Sequence, residues 1–358
     1  MNLHIFPDSV FAKAFYRNLQ SFNLTEHNLV IISKEKAKHA IEGIVCAPLH
    51  SLKFAQAVTS THHYDAVFIH YFTPALYRWV TKQTFKKLCW CVWGGDVYNL
   101  PWRESSNFEP ITSTLIKKSF SWEETIFNWK VSFFYSPYKI KAWLKVNEVY
   151  TWMEEEFLFT KSTYANQATH TFFYYEGEVP YDNEVVITQS QAEPYIIVGN
   201  SGSPQNNHAD VLQFLDDIHF KKKIVIPVSY GNQEYVSKLK SYALNFTNLS
   251  IQWLEEFMPI EQYNHLLANA DAFIMHAIRP QGMGNVFAVM NMGVPIYFNP
   301  KNAAYQSLIR MGFDCYQAED LGKQIWFQPE NNKALIKQKF GHDQTKKIYQ
   351  KLFAKPQP

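Results

Sequence analysis

The amino-acid sequence predicts an α/β protein built from two Rossmann-like domains in tandem, with a cleft between them. At 358 residues the chain is too long for one ordinary hydrophobic core. Apolar segments with strand character alternate with segments of helical spacing in both halves, which is typical of parallel sheets covered by helices. A polar stretch at 176–191 separates the two halves. We therefore expect domains at 1–185 and 186–335, followed by a helix at 336–358 that packs across both.

The first half contains a series of predicted strands, of which the first ends at Pro7-Asp8 and the fifth at Gly94-Gly95. The strands are expected at 3–6, 29–32, 43–46, 66–70, 88–93, 148–153 and 171–175. Apolar residues at helical spacing predict helices at 10–19, at 52–58 and from Pro74 onward. This alternation predicts a parallel sheet with helices on both faces.

The segment 98–147 is rich in aromatic and basic residues, and we expect helices in it. Its tryptophans and lysines include Trp102, Trp122, Trp129, Trp143, Lys117, Lys118, Lys130, Lys139, Lys141 and Lys145. In one interpretation the aromatic rings pack on the sheet while the lysines face water. In the other, the segment exposes a surface that rests on anionic lipid, where basic and aromatic residues act together.

The second half opens with a strand, a glycine turn and a helix start within 193–207. Residues 195–198 predict a buried strand, and a helix is expected to start at Pro204. The turn between them consists of Gly199, Asn200, Ser201 and Gly202. Such a turn directs backbone N–H groups and a helix N-terminus at one point, which suits a phosphate that small residues allow to approach closely. An ordinary tight turn explains the pattern equally well, so both interpretations stay open.

A second loop of the same kind follows a later strand. Strands are predicted at 224–228, 249–253, 272–275 and 295–298, with helices at 234–242, 260–268, 285–292 and 331–353. The loop after 272–275 carries Arg279, Gln281, Gly282 and Gly284, and a helix begins near Asn285. Ligands in such sheets bind at the carboxyl ends of the strands. Two such loops in one domain predict an enclosed nucleotide diphosphate, and the alternative is an ordinary β-α-β unit with Arg279 in a surface ion pair.

Acidic residues and a histidine follow strand ends in the first half. Asp96 stands behind two glycines, so we expect it to face the cleft as a general base, or else to cap the next helix. His70 ends the preceding strand and is the second candidate base, although a lone strand histidine is often structural. One glutamate of 154–156 is a third candidate, and otherwise that run is a solvated face.

Composition and missing motifs exclude several function classes. The formal net charge of +2 gives no argument for nucleic-acid binding, and 47% hydrophobic against 18% charged residues fits a folded protein. No apolar run approaches the ~20 residues of a membrane-spanning helix. The motifs GxGxxG after the first strand, GxxxxGK[ST] and GxSxG are all missing, so an oxidoreductase, a P-loop nucleotidase and an α/β-hydrolase lose support.

Neither a metal site nor an export signal is indicated. Asp216-Asp217 is not the DxD arrangement that holds a sugar-nucleotide metal, and His62-His63 has no partner at metal-ligand spacing. The four cysteines show no CxxC spacing, and Met1 leads straight into LHIF without the basic region of a signal peptide. We therefore expect free thiols and a cytoplasmic protein without a bound metal.

Five segments of the chain resemble glycosyltransferase family 56. They are FIHYFTPALY, VWGGDVYNL, IIVGNSGSPQNNH, VIPVSYGNQEYV and RPQGMGNVFAVMNMGVPIYFN, in order and similarly spaced between about 66 and 299. This family comprises TDP-4-acetamido-4,6-dideoxygalactose:lipid II transferases of enterobacterial common antigen synthesis, also described as 4-alpha-L-fucosyltransferases. The region 98–152 matches poorly. The paired glutamates of common retaining GT-B enzymes are absent, because Pro280 and Ala288 stand where they are expected.

The resemblance implies the GT-B architecture, in which two Rossmann-like domains face each other across a cleft. The first domain then binds a lipid-linked glycan acceptor, and the second binds a nucleotide-sugar donor that is TDP-linked, without a metal or another cofactor. It also implies a peripheral position on the anionic inner face of the cytoplasmic membrane. The expected donor contacts are Gly199, Asn200, Ser201, Gly202, Gln281, Gly282, Gly284 and Asn285.

Three residues are expected to take part in the reaction. Arg279 offsets negative charge on the leaving diphosphate, and Asp96, or else His70, accepts the acceptor's proton. Two other functions stay open on the sequence: a noncatalytic nucleotide-sugar or polysaccharide-binding protein, and a sugar-nucleotide epimerase of the same shape.

Overall fold

The chain divides into two compact units, each built around one parallel sheet. The computed structural model describes residues 1–33, 36–99, 104–116, 126, 129, 133, 136–164, 167–176, 181 and 193–354. The first unit comprises Met1–Pro101, Ile126–Pro180 and His342–Pro358, and the second comprises Trp102–Thr125 and Tyr181–Gly341. The expected domain boundary between 185 and 186 lies outside the described residues. The segment 102–125, which the sequence assigns to the first domain, groups with the second unit.

Within the described residues, the first unit holds a seven-stranded parallel sheet in the order β3-β2-β1-β4-β5-β6-β7. The strands are β1 (Asn2–Pro7), β2 (His27–Ile32), β3 (Val45–Ala47), β4 (Ala66–His70), β5 (Leu88–Cys91), β6 (Glu148–Tyr150) and β7 (Thr169–Thr171). Every position of β4 and β5 is buried, as expected for parallel strands covered on both faces. The strand order reverses direction between β1 and β4, which is the topological switch point of this sheet.

The second unit repeats this topology in six described strands, ordered β10-β9-β8-β11-β12-β13. The strands are β8 (Tyr195–Val198), β9 (Lys223–Pro227), β10 (Ile251–Leu254), β11 (Ala272–Met275), β12 (Ile296–Phe298) and β13 (Tyr316–Gln317). The switch point lies between β8 and β11, which pair directly from Ala272 with Ile196 to Ile274 with Val198. The short edge strand β13 is not predicted from the sequence.

Helices connect most consecutive strands. They are α1 (Val10–Ser21), α2 (Leu52–Ala57), α3 (Pro74–Lys82), α4 (Gly95–Tyr98), α5 (Pro110–Ile116), α6 (Ser136–Trp143), α7 (Glu154–Tyr164), α8 (His208–Asp217), α9 (Gln233–Ala243), α10 (Ile260–Ala268), α11 (Met283–Met292), α12 (Ala303–Arg310), α13 (Pro329–Phe340) and α14 (His342–Phe353). The sequence predicts neither α12 nor the break at Gly341. Instead of one terminal helix, α13 packs on α11 in the second unit and α14 on α1 in the first.

Candidate functional site

Two glycine-containing loops meet at the switch point of the second sheet. One loop follows β8 and the other follows β11. Because these two strands are parallel neighbours, both loops lie at the same edge of the sheet, where the strands have their carboxyl ends. Gly199 and Gly282 have φ angles of +71° and +60°, a region that residues with a Cβ rarely adopt. Both loops therefore take turns that require glycine. The expected donor residues of the two loops lie at one edge of this unit.

Buried amide side chains join the two loops. Gln281 Nε2 donates to Asn206 Oδ1 at 2.7 Å, and Asn206 Nδ2 donates to the Ser201 carbonyl at 2.8 Å. Asn207 Nδ2 donates to the His276 carbonyl at 3.1 Å. Asn206 and Asn207 are completely buried. Neither asparagine is among the donor residues expected from the sequence. Their position beside a glycine turn is the signal that could have indicated loop-bracing amides.

The helix after the first loop begins later than predicted. Pro204–Asn206 forms a short 3-10 turn, and the α-helix starts at His208, with Asn207 in the left-handed region at φ +53°. The His208 ring packs against Gly199, where a Cβ would lie 2.5 Å from His208 Nε2. Burial lowers the pKa of His208 to about 3, so the ring is neutral at this position.

The glycines of the two loops serve different purposes. A Cβ on Gly202 would lie 2.5 Å from Val236 Cγ2 and 3.1 Å from the Tyr230 carbonyl, so protein packing already fills this position. A Cβ on Gly282 would lie 3.0 Å from the Asn200 amide group. Gly284 lies in the first turn of α11 and is exposed. A Cβ on Gly284 would have no neighbouring atom within 4 Å. Of these glycines, Gly284 is the one that leaves open space at a helix N-terminus.

A cavity of about 140 Å³ lies beside the loops and is lined partly by expected donor residues. Asn200 and Asn285 line it, and they donate to the hydroxyls of Tyr230 at 3.3 Å and Tyr263 at 3.2 Å. Exposed Phe257 adds a third aromatic ring to the lining. In the described part of the chain, Asn200 Oδ1 is a buried oxygen without a hydrogen-bond partner. The cavity therefore offers aromatic faces together with an unsatisfied polar group, as ligand pockets do.

Arg279 lies in the loop between β11 and α11 and is partly buried. Its Nη1 donates to the Pro280 carbonyl at 3.2 Å. The loop backbone is held by Asn302, whose Nδ2 donates to the carbonyls of Ala277 at 2.7 Å and Arg279 at 3.2 Å. These bonds fix the position from which the guanidinium extends.

A polar cluster that sequence reasoning missed follows β11 and β12. Glu109 Oε1 accepts from Asn299 Nδ2 at 2.9 Å and from Lys301 Nζ at 3.0 Å. Burial disfavours the ionised carboxyl, but these two donors outweigh it and lower the pKa of Glu109. His276 Nε2 lies 3.3 Å from Asn299 Nδ2. Glu109 reaches this edge because its segment belongs to the second unit, which the linear sequence does not reveal.

Asp96, for which the sequence predicts either a general base facing a cleft or a helix cap, is buried. The side chain is in the first turn of α4, is 2% exposed, and accepts from Trp90 Nε1 at 2.6 Å, Phe72 N at 2.9 Å and Trp93 N at 3.1 Å. Gly94, rather than Asp96, is the N-cap residue. The carboxylate joins the turns after β4 and β5. These turns include Tyr71, whose φ of +70° is unusual for a bulky residue.

His70 is completely buried at the end of β4. Its Nε2 lies 3.0 Å from His4 Nδ1, and its Nδ1 contacts the Tyr175 hydroxyl. Burial holds the pKa of His70 well below its usual value. The third candidate, the run 154–156, forms the first turn of α7. There Glu156 is buried and accepts from Thr151 Oγ1 at 2.7 Å.

Part of the segment 98–147 exposes apolar side chains at helical spacing. Between 47% and 63% of each of these side chains is exposed: Ile126, Trp129, Phe133, Ile140 and Leu144. Lys139 and Lys141 lie beside them in α6. Trp102, Trp122, Lys117, Lys118 and Lys130 lie outside the described residues. No helix among the described residues is long and apolar enough to cross a bilayer.

Trp143 and Lys145 do not belong to this exposed surface. Trp143 is 4% exposed. Lys145 Nζ donates to the carbonyls of Val80 at 3.2 Å, Thr81 at 3.0 Å and Gln83 at 2.6 Å, at the C-terminal end of α3. A cation there stabilises the helix end.

The comparison of sequences identifies a transferase family. A sequence model described as 4-alpha-L-fucosyltransferase, glycosyl transferase group 56, matches residues 121–340, more than half of the chain. This match starts inside the region 98–152, where the segments that resemble the family match poorly. It extends to residue 340, beyond the last of those segments, which ends at 299.

Solved structures show the same fold. HepE of Anabaena in complex with UDP is similar at a TM-score of 0.61 and 13% identity, over 98% of this chain and 99% of that chain. A glycosyltransferase of Rickettsia africae ESF-5 is similar at 0.59 and 13% identity, over 98% and 97% of the two chains. The lipopolysaccharide outer core galactosyltransferase WaaB is similar at 0.59 and 10% identity, over 98% of both chains. These similarities confirm the predicted GT-B fold class.

Proposed function

The chain belongs to glycosyl transferase group 56, the 4-alpha-L-fucosyltransferase family, and from this premise we propose its donor, its acceptor and its donor site. The donor is a TDP-linked deoxyamino sugar resembling 4-acetamido-4,6-dideoxygalactose. The acceptor is a lipid-linked oligosaccharide in the synthesis of a cell-surface polysaccharide. Family membership makes the noncatalytic alternative the weaker one.

The donor binds at the edge of the second sheet where the two loops meet. The observation that carries this proposal is the hydrogen bond between Gln281 and Asn206, because it holds both glycine turns against one another. The diphosphate lies at the N-terminus of α11, where Gly284 leaves space and backbone N–H groups have no partner within the helix. The base enters the neighbouring cavity among Tyr230, Phe257 and Tyr263. The HepE structures with UDP and with UDP-glucose lend support to a nucleotide-sugar donor.

The reaction places negative charge on the departing diphosphate. Arg279 and the first N–H groups of α11 are the positive groups of these loops, and both are fixed before the reaction begins. Preorganised donors of this kind stabilise developing charge without having to reorganise. In the described residues, no three His, Cys, Asp or Glu side chains lie together as a metal site would require. We propose that Arg279 supplies the charge stabilisation in this enzyme.

The protein works at an anionic membrane surface. The exposed apolar side chains from Ile126 to Leu144 enter the lipid interface, and Lys139 and Lys141 contact lipid headgroups. A protein docked in this way reaches an acceptor whose lipid stays in the bilayer.

The test is release of TDP from a TDP-sugar in the presence of a lipid-linked acceptor, in buffer with and without a chelator. We expect acceptor-dependent release that a chelator does not reduce. Gly284→Val should weaken TDP binding by tenfold or more without lowering the melting temperature, because only open space is filled. Arg279→Ala should lower kcat while the exposed control Arg310→Ala does not. Conversion of the donor without any acceptor would indicate an epimerase, and a strict Mg²⁺ requirement would contradict the role of Arg279.

A further inference from the structure

A continuous chain of hydrogen bonds runs through three histidines of the first unit. His27 Nε2 lies 2.9 Å from the Phe353 carbonyl oxygen, and His27 Nδ1 lies 2.9 Å from His4 Nε2. His4 Nδ1 lies 3.0 Å from His70 Nε2, and His70 Nδ1 contacts the Tyr175 hydroxyl. Every ring nitrogen in this series has a partner.

The carbonyl at one end fixes the direction of the whole series. A carbonyl oxygen only accepts, so His27 Nε2 must carry hydrogen and, in the neutral ring, Nδ1 must accept. His4 then donates from Nε2 and accepts at Nδ1, and His70 does the same. The Tyr175 hydroxyl therefore donates its hydrogen to His70. With all three rings neutral, this is the single assignment in which each contact has one donor and one acceptor.

The series connects a partly exposed strand start with the carboxyl edge of the sheet. His4 and His70 lie on β1 and β4, the two strands at the switch point, and both are completely buried. Tyr175 keeps part of its surface exposed, and its ring centroid lies 5.5 Å from those of Phe11 and Trp93. Ligands of such sheets bind outside this edge. At this edge the partly exposed residue of the series is Tyr175, whereas His70 is completely buried.

We propose that the three histidines are a proton relay and that Tyr175 receives the proton of the attacking acceptor hydroxyl. This inference rests on the proposed glycosyl transfer. The acceptor O–H bond breaks as its oxygen bonds to the anomeric carbon, and the diphosphate leaves with the electron pair of the old C–O bond. The acceptor proton goes to the Tyr175 oxygen, whose own hydrogen passes to His70 Nδ1. His70 passes a hydrogen from Nε2 to His4 Nδ1, and His4 passes one from Nε2 to His27 Nδ1.

His27 then holds the proton with hydrogen on both nitrogens. It is the most exposed of the three rings, and it lies at the C-terminus of α14, where the helix favours a positive charge. Burial lowers the pKa of His27, while the Phe353 carbonyl and Glu26 act in the opposite direction. After the product leaves, the reverse path returns the proton to water at Tyr175 and restores the original tautomers.

Other titratable groups face the relay. They are Glu26 and the amino terminus at His27, and Cys91 and Tyr349 at Tyr175. Burial and the neighbouring Asp96 hold the Cys91 thiol neutral, with its pKa well above the usual value, and burial also raises the pKa of Tyr349. Near neutral pH the three histidines are therefore uncharged, and they are the groups of the relay that take up a proton as the pH falls.

The test compares His27→Gln with Tyr175→Phe, with His170→Gln as the control. A glutamine at 27 can still donate to the Phe353 carbonyl and accept from His4, but it cannot carry a proton. We expect kcat to fall about tenfold, with loss of the acid limb of the pH–kcat profile and unchanged TDP affinity. Tyr175→Phe should lower kcat on the order of 10²-fold. His170, which bonds to the Thr151 carbonyl outside the relay, should tolerate the change.

Imidazole ¹⁵N spectra of the full-length protein separate failure of the relay from failure of the proposed reaction. The relay predicts Nε2–H tautomers for His4, His27 and His70 at neutral pH, whatever substrate the enzyme uses. Other tautomers, or a His27→Gln protein with wild-type kcat and pH profile, would overturn the relay. If wild-type protein transfers no sugar although the tautomers are as predicted, the proposed reaction is the part that fails.

Discussion

Gln281 and Asn206 lie 75 residues apart in the sequence, and a 2.7 Å hydrogen bond joins their side-chain amides. Asn206 has no exposed surface and is itself bonded to the Ser201 carbonyl. Each amide therefore fixes the loop of the other, and the site at the edge of the second sheet depends on both.

Gln281→Ala should loosen this connection and weaken nucleotide binding. A net hydrogen bond contributes about 1 kcal/mol, so we expect TDP affinity to fall roughly 3- to 10-fold. Titration calorimetry with TDP measures this change. Gln262→Ala, an exposed glutamine of the same unit, should bind TDP like the wild type. Equal affinities for the two variants would show that the loops do not need this bond.

Asp96→Asn should destabilise the first unit more than it impairs the reaction. The amide nitrogen replaces an acceptor where three donors converge, so we expect a loss of about 1–3 kcal/mol in unfolding free energy. Turnover per folded molecule should stay within a few-fold of wild type. Denaturant unfolding and kcat are measured side by side, with exposed Asp217→Asn as the isosteric control. A stable Asp96→Asn protein with a hundredfold lower kcat would restore Asp96 as the base.

Stability should fall in mild acid. Five histidines have pKa values lowered from 6.5, chiefly by burial: His4, His27, His70, His208 and His276. Because the pKa values are lowered in the folded state, the unfolded chain binds more protons than the folded chain below about pH 6.5. The unfolding free energy is therefore unaffected by these histidines above that pH and decreases as the pH falls below it. Each histidine contributes a slope of about 1.4 kcal/mol per pH unit. Urea unfolding measured from pH 7.5 to 5.5 should give an unfolding free energy whose slope against pH corresponds to the uptake of more than one proton. An unfolding free energy that does not change with pH would contradict the burial of these histidines in their neutral form.

Membrane binding should depend on the exposed side chains of the segment 126–144. Replacing Trp129, Phe133 and Ile140 together by Ser should reduce binding to vesicles that contain anionic lipid by tenfold or more. Added salt should weaken wild-type binding because it screens the lysines. Vesicle sedimentation measures both effects. A triple Ser substitution at the exposed Leu244, Phe257 and Ile309 is the matched control and should bind lipid like the wild type. Salt-independent binding would contradict the proposed role of the lysines.

Much of the fold can be predicted from the sequence because parallel strands are buried on both faces. Runs such as 66–69 and 195–198 are continuous and largely aliphatic or aromatic, so the existence and order of their strands are predictable. The short edge strand Tyr316–Gln317 pairs on one side only and carries no such run. The break at Gly341, between two helices, is also not predicted.

The candidate site can be predicted only in part, since its geometry depends on contacts between residues that are far apart in the sequence. The two glycine loops are predictable because strand ends and glycines indicate them. Glu109 is not, because nothing local assigns its segment to the second unit. The surroundings of Asp96 are not predictable for a related reason: Trp90 and the turn at Phe72 enclose its carboxylate, and the two glycines before it indicate neither contact.

The interleaving of the units has a consequence for protein synthesis. The first unit is completed by α14, whose Tyr349 and Phe353 rings lie 5.4 and 5.5 Å from Phe15. That helix is translated after the second unit, about 160 residues beyond the preceding segment of the first. At a translation rate of about 5–20 residues per second, the apolar surface around Phe15 stays uncovered for roughly 10–30 s until α14 has been synthesised. The second unit can therefore close before the first, and the nascent first unit needs protection from aggregation during that interval.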